Sequence, residues 1–153
     1  MSGTFDRHLV SSVIYICRQG AAFYQRLSEQ VASVALSSLF REMSQSRRQA
    51  ALKLSTSERQ PEEVAAVSGV TARVDNMYNN LALTPDQYRN VWFLDRLEQT
   101  EAQVLNTLRN SVSQLSDSQL AEQLARAIAT LQIANDRLKS FKADAERRPV
   151  GRY

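Results

Sequence analysis

Apolar and small residues recur along this chain at spacings of three and four, a period that predicts helices over most of its length. The first series follows Thr4, a residue suited to capping a helix, and runs through Leu9, Val13, Ile16, Gly20, Phe23, Leu27 and Val31. Val10, Ile14, Cys17 and Tyr24 widen the stripe, as expected of a helix packed against more than one neighbour. Gly20, in the middle, costs up to about 1 kcal/mol in helix propensity relative to alanine, and marks a candidate close approach between helices.

A second helix, capped by Ser33 or Ser37, places Leu36, Phe40, Met43, Arg47, Ala50 and Leu54 on one face. The polar run Ser55 to Pro61 then leads to a further helical segment that starts near Glu62 and Glu63 and passes through Val64, Val67, Val74, Met77 and Leu81. Gly69 bends or splits this segment, which serves either as a crossover or as a core helix. The strongest start signal is Thr84-Pro85-Asp86-Gln87: a capping threonine, a first-turn proline, an acid and a glutamine at the capping-box position. The third long helix that follows carries the seam Val91, Leu94, Glu98, Glu101, Leu105, Leu108, Val112 and Leu115. Ser116-Asp117-Ser118-Gln119 repeats the capping pattern and opens a last helix with Leu120, Leu124, Ile128, Leu131, Asn135 and Leu138 inward. The expected fold is all-α: an antiparallel four-helix bundle with an additional helical crossover segment.

Composition narrows this reading without changing it. A chain of 153 residues fits one domain, and four glycines with three prolines leave little turn chemistry for a multi-stranded sheet. Residues 1–145 form the expected bundle domain and 146–153 a short basic tail with Arg147, Arg148 and Arg152. Cys17 is the only cysteine, which excludes an intrachain disulfide and a multi-cysteine zinc site and suits a buried, unreactive thiol. The longest early apolar run, Val13 to Cys17, falls far short of the roughly 18 residues of a spanning helix, so a cytoplasmic protein is expected. Sixteen arginines and three lysines are interspersed with acids to a net charge of only +3, and no basic stripe favours nucleic acid.

Polar residues interrupt three seams near mid-helix: Arg47 on the second, Glu98 and Glu101 on the third, Gln132 and Asn135 on the fourth. In an antiparallel bundle they fall at similar heights, which predicts one polar core cluster. Two inward glutamates need a cation, a metal or a proton, because an unpaired buried carboxylate costs several kcal/mol. Arg47 either turns inward to form a bidentate bridge to Glu98 or Glu101, or snorkels to solvent and leaves one glutamate fully inward.

The runs Gly20 to Tyr24, Leu39 to Met43, Arg47 to Ala50, Glu98 to Glu101 and Gln132 to Asn135 together resemble the ferritin-like superfamily, and within it the rubrerythrin-type bundles and their bacterial relatives. The resemblance spans about Leu9 to Phe141 and implies a centre in which carboxylates and histidines of four helices hold two metal ions. This chain keeps little of that set. Cys17 stands about where a first-helix glutamate is expected, seven residues before Tyr24. The Glu-x-x-His of the second helix falls on Arg47 and Ala50, and that of the fourth on Gln132 and Asn135. Glu98 and Glu101 alone remain as candidate metal ligands. The one histidine, His8, lies near the start of the first helix, away from the cluster.

Neither a Ser-His-Asp set nor a glycine-rich phosphate loop can be assembled. Tyr88, Trp92 and Phe93 suit packing better than base stacking. The expected function is a non-catalytic bundle, with no cofactor, that acts as a homo-oligomer or a module for a protein partner. The alternative is a residual metal-carboxylate protein or oxidoreductase using iron or manganese at Glu98 and Glu101.

Overall fold

The threes-and-fours pattern folds into four long helices in a computed structural model that describes residues 4–57, 76, 78 and 91–147: α1 (Thr4–Gln30), α2 (Val34–Ser57), α3 (Val91–Gln114) and α4 (Ser118–Arg147). The Thr84 start signal and most of the segment from Glu62 to Leu81 lie outside the described residues. Within that segment Asn76 and Tyr78 are helical, the first exposed and the second buried. The last helix runs through Arg147, two residues into the stretch read from sequence as a tail. Among the described residues no helix is long and apolar enough to cross a membrane.

Ser33 is the cap of α2: its hydroxyl accepts the Leu36 N–H at 3.2 Å and its carbonyl accepts the Ser37 N–H at 2.9 Å. Ser37 instead donates its hydroxyl across the turn to the Ser28 carbonyl at 2.7 Å. At the α3–α4 turn the cap is Asp117 rather than Ser116. Its carboxylate accepts the N–H groups of Gln119 at 2.8 Å and Leu120 at 3.2 Å. A carboxylate outcompetes a hydroxyl here because it also complements the positive helix end. Ser116 is drawn away to Asp6 on α1.

Cross-helix pairs fix the directions. Ser44 donates to the Ala21 carbonyl and Ser37 to that of Ser28, so α1 and α2 are antiparallel. Lys142 meets Asp95 and Glu98 while Arg109 meets Gln132, so α3 and α4 are antiparallel. Arg47 meets Asn135 and Glu42 meets Arg137, which makes α2 antiparallel to α4. It follows that α2 and α3 run the same way, and the ends joined by residues 58–90 lie at opposite ends of the bundle. One core fills the space between the helices. Tyr24, Phe40, Met43, Phe93, Leu97, Leu108, Leu124 and Leu138 are fully enclosed in it.

Candidate functional site: a buried guanidinium and carboxylate

Halfway along the bundle the core turns polar. Arg47, at a seam position of α2, is 2% exposed, and Glu101, at a seam position of α3, is 1% exposed. The guanidinium Nη2 is paired with Glu101 Oε1. The other carboxylate oxygen, Oε2, accepts the Tyr24 hydroxyl from α1 at 2.6 Å. Arg47 Nη2 also donates to Asn135 Oδ1 of α4 at 3.2 Å, and Nη1 to the Met43 carbonyl, one turn back on α2, at 3.2 Å. The guanidinium carbon stands 4.7 Å from the centre of the Tyr24 ring, a cation–π distance. All four helices therefore contribute to one hydrogen-bonded cluster.

The arrangement follows from local sequence. Gly20 and Tyr24 lie one turn apart on α1, and the missing side chain at Gly20 leaves the path along which Arg47 reaches the centre. A Cβ at Gly20 would stand 2.8 Å from Arg47 Cδ, 3.0 Å from Nε and 3.0 Å from the Tyr78 hydroxyl. Tyr78 closes the same side: its ring packs 4.8 Å from that of Phe23 and 6.5 Å from that of Tyr24. Its hydroxyl lies in the field of the ion pair and has no hydrogen-bond partner of good geometry among the described residues. The Asn135 amide nitrogen likewise has no hydrogen-bond partner among the described residues.

Alanine at Gly20 is expected to destabilise the protein. The added methyl needs the guanidinium stem to move, and that stem is pinned at its far end by Glu101, Asn135 and Met43. Overpacking of this kind costs about 1–3 kcal/mol and outweighs the helix-propensity gain of up to about 1 kcal/mol. Denaturant unfolding of Gly20→Ala should show a lower midpoint. A midpoint equal to or above that of the parent would mean that Arg47 is free to shift.

Electrostatics bind the cluster together. Burial alone would weaken the proton affinity of Arg47, but the Glu101 charge beside it, together with the Tyr78 and Tyr24 phenols, outweighs burial, and the guanidinium is held above its usual range. Burial, then the same carboxylate, push the Tyr24 and Tyr78 phenols well above the usual tyrosine range, with Arg47 opposing. Cys17 is 1% exposed, and burial is the main reason that its thiol is pushed up to about 12. A thiol so held is a protonated packing group and not a nucleophile at neutral pH.

Of the five residues expected in the cluster, Arg47, Glu101 and Asn135 meet, while Glu98 and Gln132 do not. Glu98 is replaced on the inward face by Leu97, which is fully buried. Both positions lie within a turn of Leu94 and Glu101, and the apolar side chain takes the core. Glu98 turns to the α4 side, with its carboxylate 2.7 Å from Lys142 Nζ and its side chain 23% exposed. The lysine bridges on to Asp95 at 2.9 Å, and its contacts with the two carboxylates, Glu98 first and then Asp95, hold it above the ordinary lysine value. Gln132 sits at the α3–α4 surface, accepting from Arg109 and donating to Asp136 at 3.0 Å. The two candidate metal ligands are thus separated, one in the core and one at the rim. Among the described residues, no three or more His, Cys, Asp or Glu side chains are grouped so as to hold a metal ion. His8 is half-buried on α1, where its carbonyl accepts the Ser12 hydroxyl.

Sequence reading missed the hydroxyl of Tyr24 as a partner of Glu101, and it missed Tyr78 altogether. The first had a signal, since Tyr24 lies one turn beyond the only helical glycine of α1. No family model, curated protein or solved structure matches this chain.

Proposed function

We propose that the chain is a ferritin-like bundle whose central site is closed by its own arginine, and that it acts as a non-catalytic module for self-association or for a protein partner. The order of helix directions supports the first part, because α2 and α3 run the same way and need one long crossover between them, as ferritin-like bundles have. The observation that carries the second part is the state of Glu101. Both of its oxygens are engaged, one by Arg47 and one by Tyr24, and its charge is already balanced. One carboxylate, one fixed cation, a neutral amide, two phenols and a protonated thiol do not fit the donor set of a divalent metal, and a second cation beside Arg47 would be repelled.

On this reading a guanidinium fills the charge role that a metal fills in the resembled family. Arginine suits the place because its planar fork supplies several fixed donors and keeps its proton when buried. What the cluster provides is a fixed relation of four helices, and what the protein offers to others is the surface those helices present. Protein purified from cells grown with added iron or manganese is expected to contain either metal far below stoichiometric amounts by elemental analysis. Near-stoichiometric iron or manganese would overturn the proposal in favour of a metal-carboxylate protein.

A further inference from the structure

Three arginines form a row along the outer seam between α1 and α2, and each rests on a serine hydroxyl. Arg41 reaches one turn back along α2 to Ser37 at 3.0 Å, and Ser37 itself donates to the Ser28 carbonyl of α1. Arg48 reaches back in the same way to Ser44 at 3.5 Å, which donates to the Ala21 carbonyl of α1, and it also donates to Gln45 at 3.3 Å. Arg18 arrives from the α1 side and donates to Ser55 at 3.3 Å. The row spares the linear sequence any basic stripe, because its members come from two helices.

All three arginines are exposed, and among the described residues none is paired with a carboxylate. The exposed acids of the same two helices are engaged elsewhere: Glu42 pairs with Arg137 on α4, and Glu29 accepts from Gln25. We propose that this row is the docking surface for an acidic amphipathic helix of another protein, whose carboxylates pair with the three guanidiniums.

Charge favours an acidic occupant. The helices α1 and α2 carry seven arginines and lysines against three acids, one of them the buried Asp6, whereas α3 and α4 carry seven against eight. An acidic partner is therefore steered to the α1–α2 half of the bundle. The serine hydroxyls already hold the long arginine stems, so less side-chain entropy is lost when a partner binds. Each planar fork keeps further N–H donors for a carboxylate.

Spacing favours a helix. Ser37 and Ser44 are seven residues apart and Ser44 and Ser55 eleven, or about 10 and 16 Å along α2. Both intervals are close to whole numbers of turns, so a helix laid along the seam meets all three guanidiniums with one face. Leu52, 58% exposed, lies between Arg48 and Ser55 in the same stretch of α2 and offers that face an apolar contact. Three cations in a straight row are few for nucleic acid, which is held by many phosphates along a winding strand. A membrane surface draws on cations that reach outward, and these lie back along the seam.

This inference rests on the reading of the chain as a module for a protein partner, and it can fail while that reading stands. Two synthetic helical peptides of about 24 residues serve as probes, each with three glutamates on one face. Their spacings are seven then eleven residues in one and eleven then seven in the other, to suit the two directions along α2. A third peptide carries the same glutamates spread around the helix. In fluorescence anisotropy with the full chain at low salt, one of the first two should bind with a Kd of tens to hundreds of micromolar, weakening as salt is added. The third should bind at least about tenfold more weakly. Arg18→Gln/Arg41→Gln/Arg48→Gln should weaken the binding at least about tenfold, with thermal unfolding little changed because all three side chains are exposed. Lys139→Gln, at an exposed site on α4, should leave the binding as it was. Equal binding of all three peptides overturns the row and leaves net charge as the cause. No peptide binding, or binding indifferent to the triple substitution, overturns the seam as the docking surface. Preference for a single-stranded oligonucleotide or for phosphatidylserine vesicles, lost in the triple variant, overturns a protein as the partner of this row. The module reading fails separately, on near-stoichiometric metal in the purified protein.

Discussion

Replacing Arg47 by methionine is expected to remove about 3–5 kcal/mol of stability, the largest loss from any single substitution in the core cluster. Methionine matches the length of the arginine stem and fills most of the same volume, so little of the effect is a cavity. What is left behind is the Glu101 carboxylate, 1% exposed, with only the Tyr24 hydroxyl for compensation. A domain of this size shifts its midpoint by about 2–4 °C per kcal/mol, so a fall of roughly 6–20 °C is expected. The variant should also acquire a pH dependence of definite sign. A buried carboxyl without a cation is tolerated better as the neutral acid, so Arg47→Met should be more stable near pH 5 than near pH 8.

The double variant Arg47→Met/Glu101→Leu separates the pair from its surroundings. With both charges gone, neither is stranded, and replacement of a buried ion pair by apolar side chains is often neutral or stabilising by about 1–4 kcal/mol. The double variant is therefore expected to recover most of the loss of the single one, leaving the Tyr24 hydroxyl as the main residual penalty. Equal destabilisation of single and double variants by urea unfolding would show that the stem of Arg47, and not the stranded carboxylate, carries the effect. A stable double variant would also show that the ion pair specifies how the four helices meet more than it holds them together.

The helices were legible because their core stripes are long and periodic. Every inward position assigned to α2, and every one assigned to α4 from Leu120 to Leu138, is buried. The cluster was legible for a related reason: a charged residue in an otherwise apolar seam, as Arg47 is between Met43 and Ala50, has no cheap place to go without a partner. The α3 register was harder, because Leu94 and Glu101 are bridged equally well through Leu97 or Glu98 and spacing alone does not choose. The helix cap at Asp117 was hidden beside a serine with the better-known pattern. Contacts made by single polar residues between remote segments leave no periodic trace, and Tyr78 and Asp6 are of that kind.

Asp6 gives the second large effect. It lies in the first turn of α1, where an acid ordinarily does no more than complement the helix end. In the folded chain it is 1% exposed and clamps the α3–α4 turn, more than a hundred residues away. Its carboxylate accepts the Ser116 N–H at 3.2 Å, the Ser116 hydroxyl at 3.0 Å and the Asp117 N–H at 2.9 Å. Asp6→Ala leaves these donors without an acceptor at the point where α4 begins, and should cost about 2–4 kcal/mol, since hydrogen bonds to a charged group are the stronger kind. The direction with pH follows from the charge. Burial pushes the Asp6 carboxyl up, but the hydrogen bonds from Asp117 and Ser116 prevail and hold it below the usual aspartate range. A group with a depressed folded value stabilises the fold above its unfolded value, near pH 4, and loses that contribution as pH falls through the folded one. The gap in unfolding free energy between the parent and Asp6→Ala should thus be constant above about pH 5 and narrow steadily in more acidic solution. A gap that stayed constant into strong acid would mean that the clamp works as well with a neutral carboxyl, and that the negative charge at the start of α4 contributes nothing.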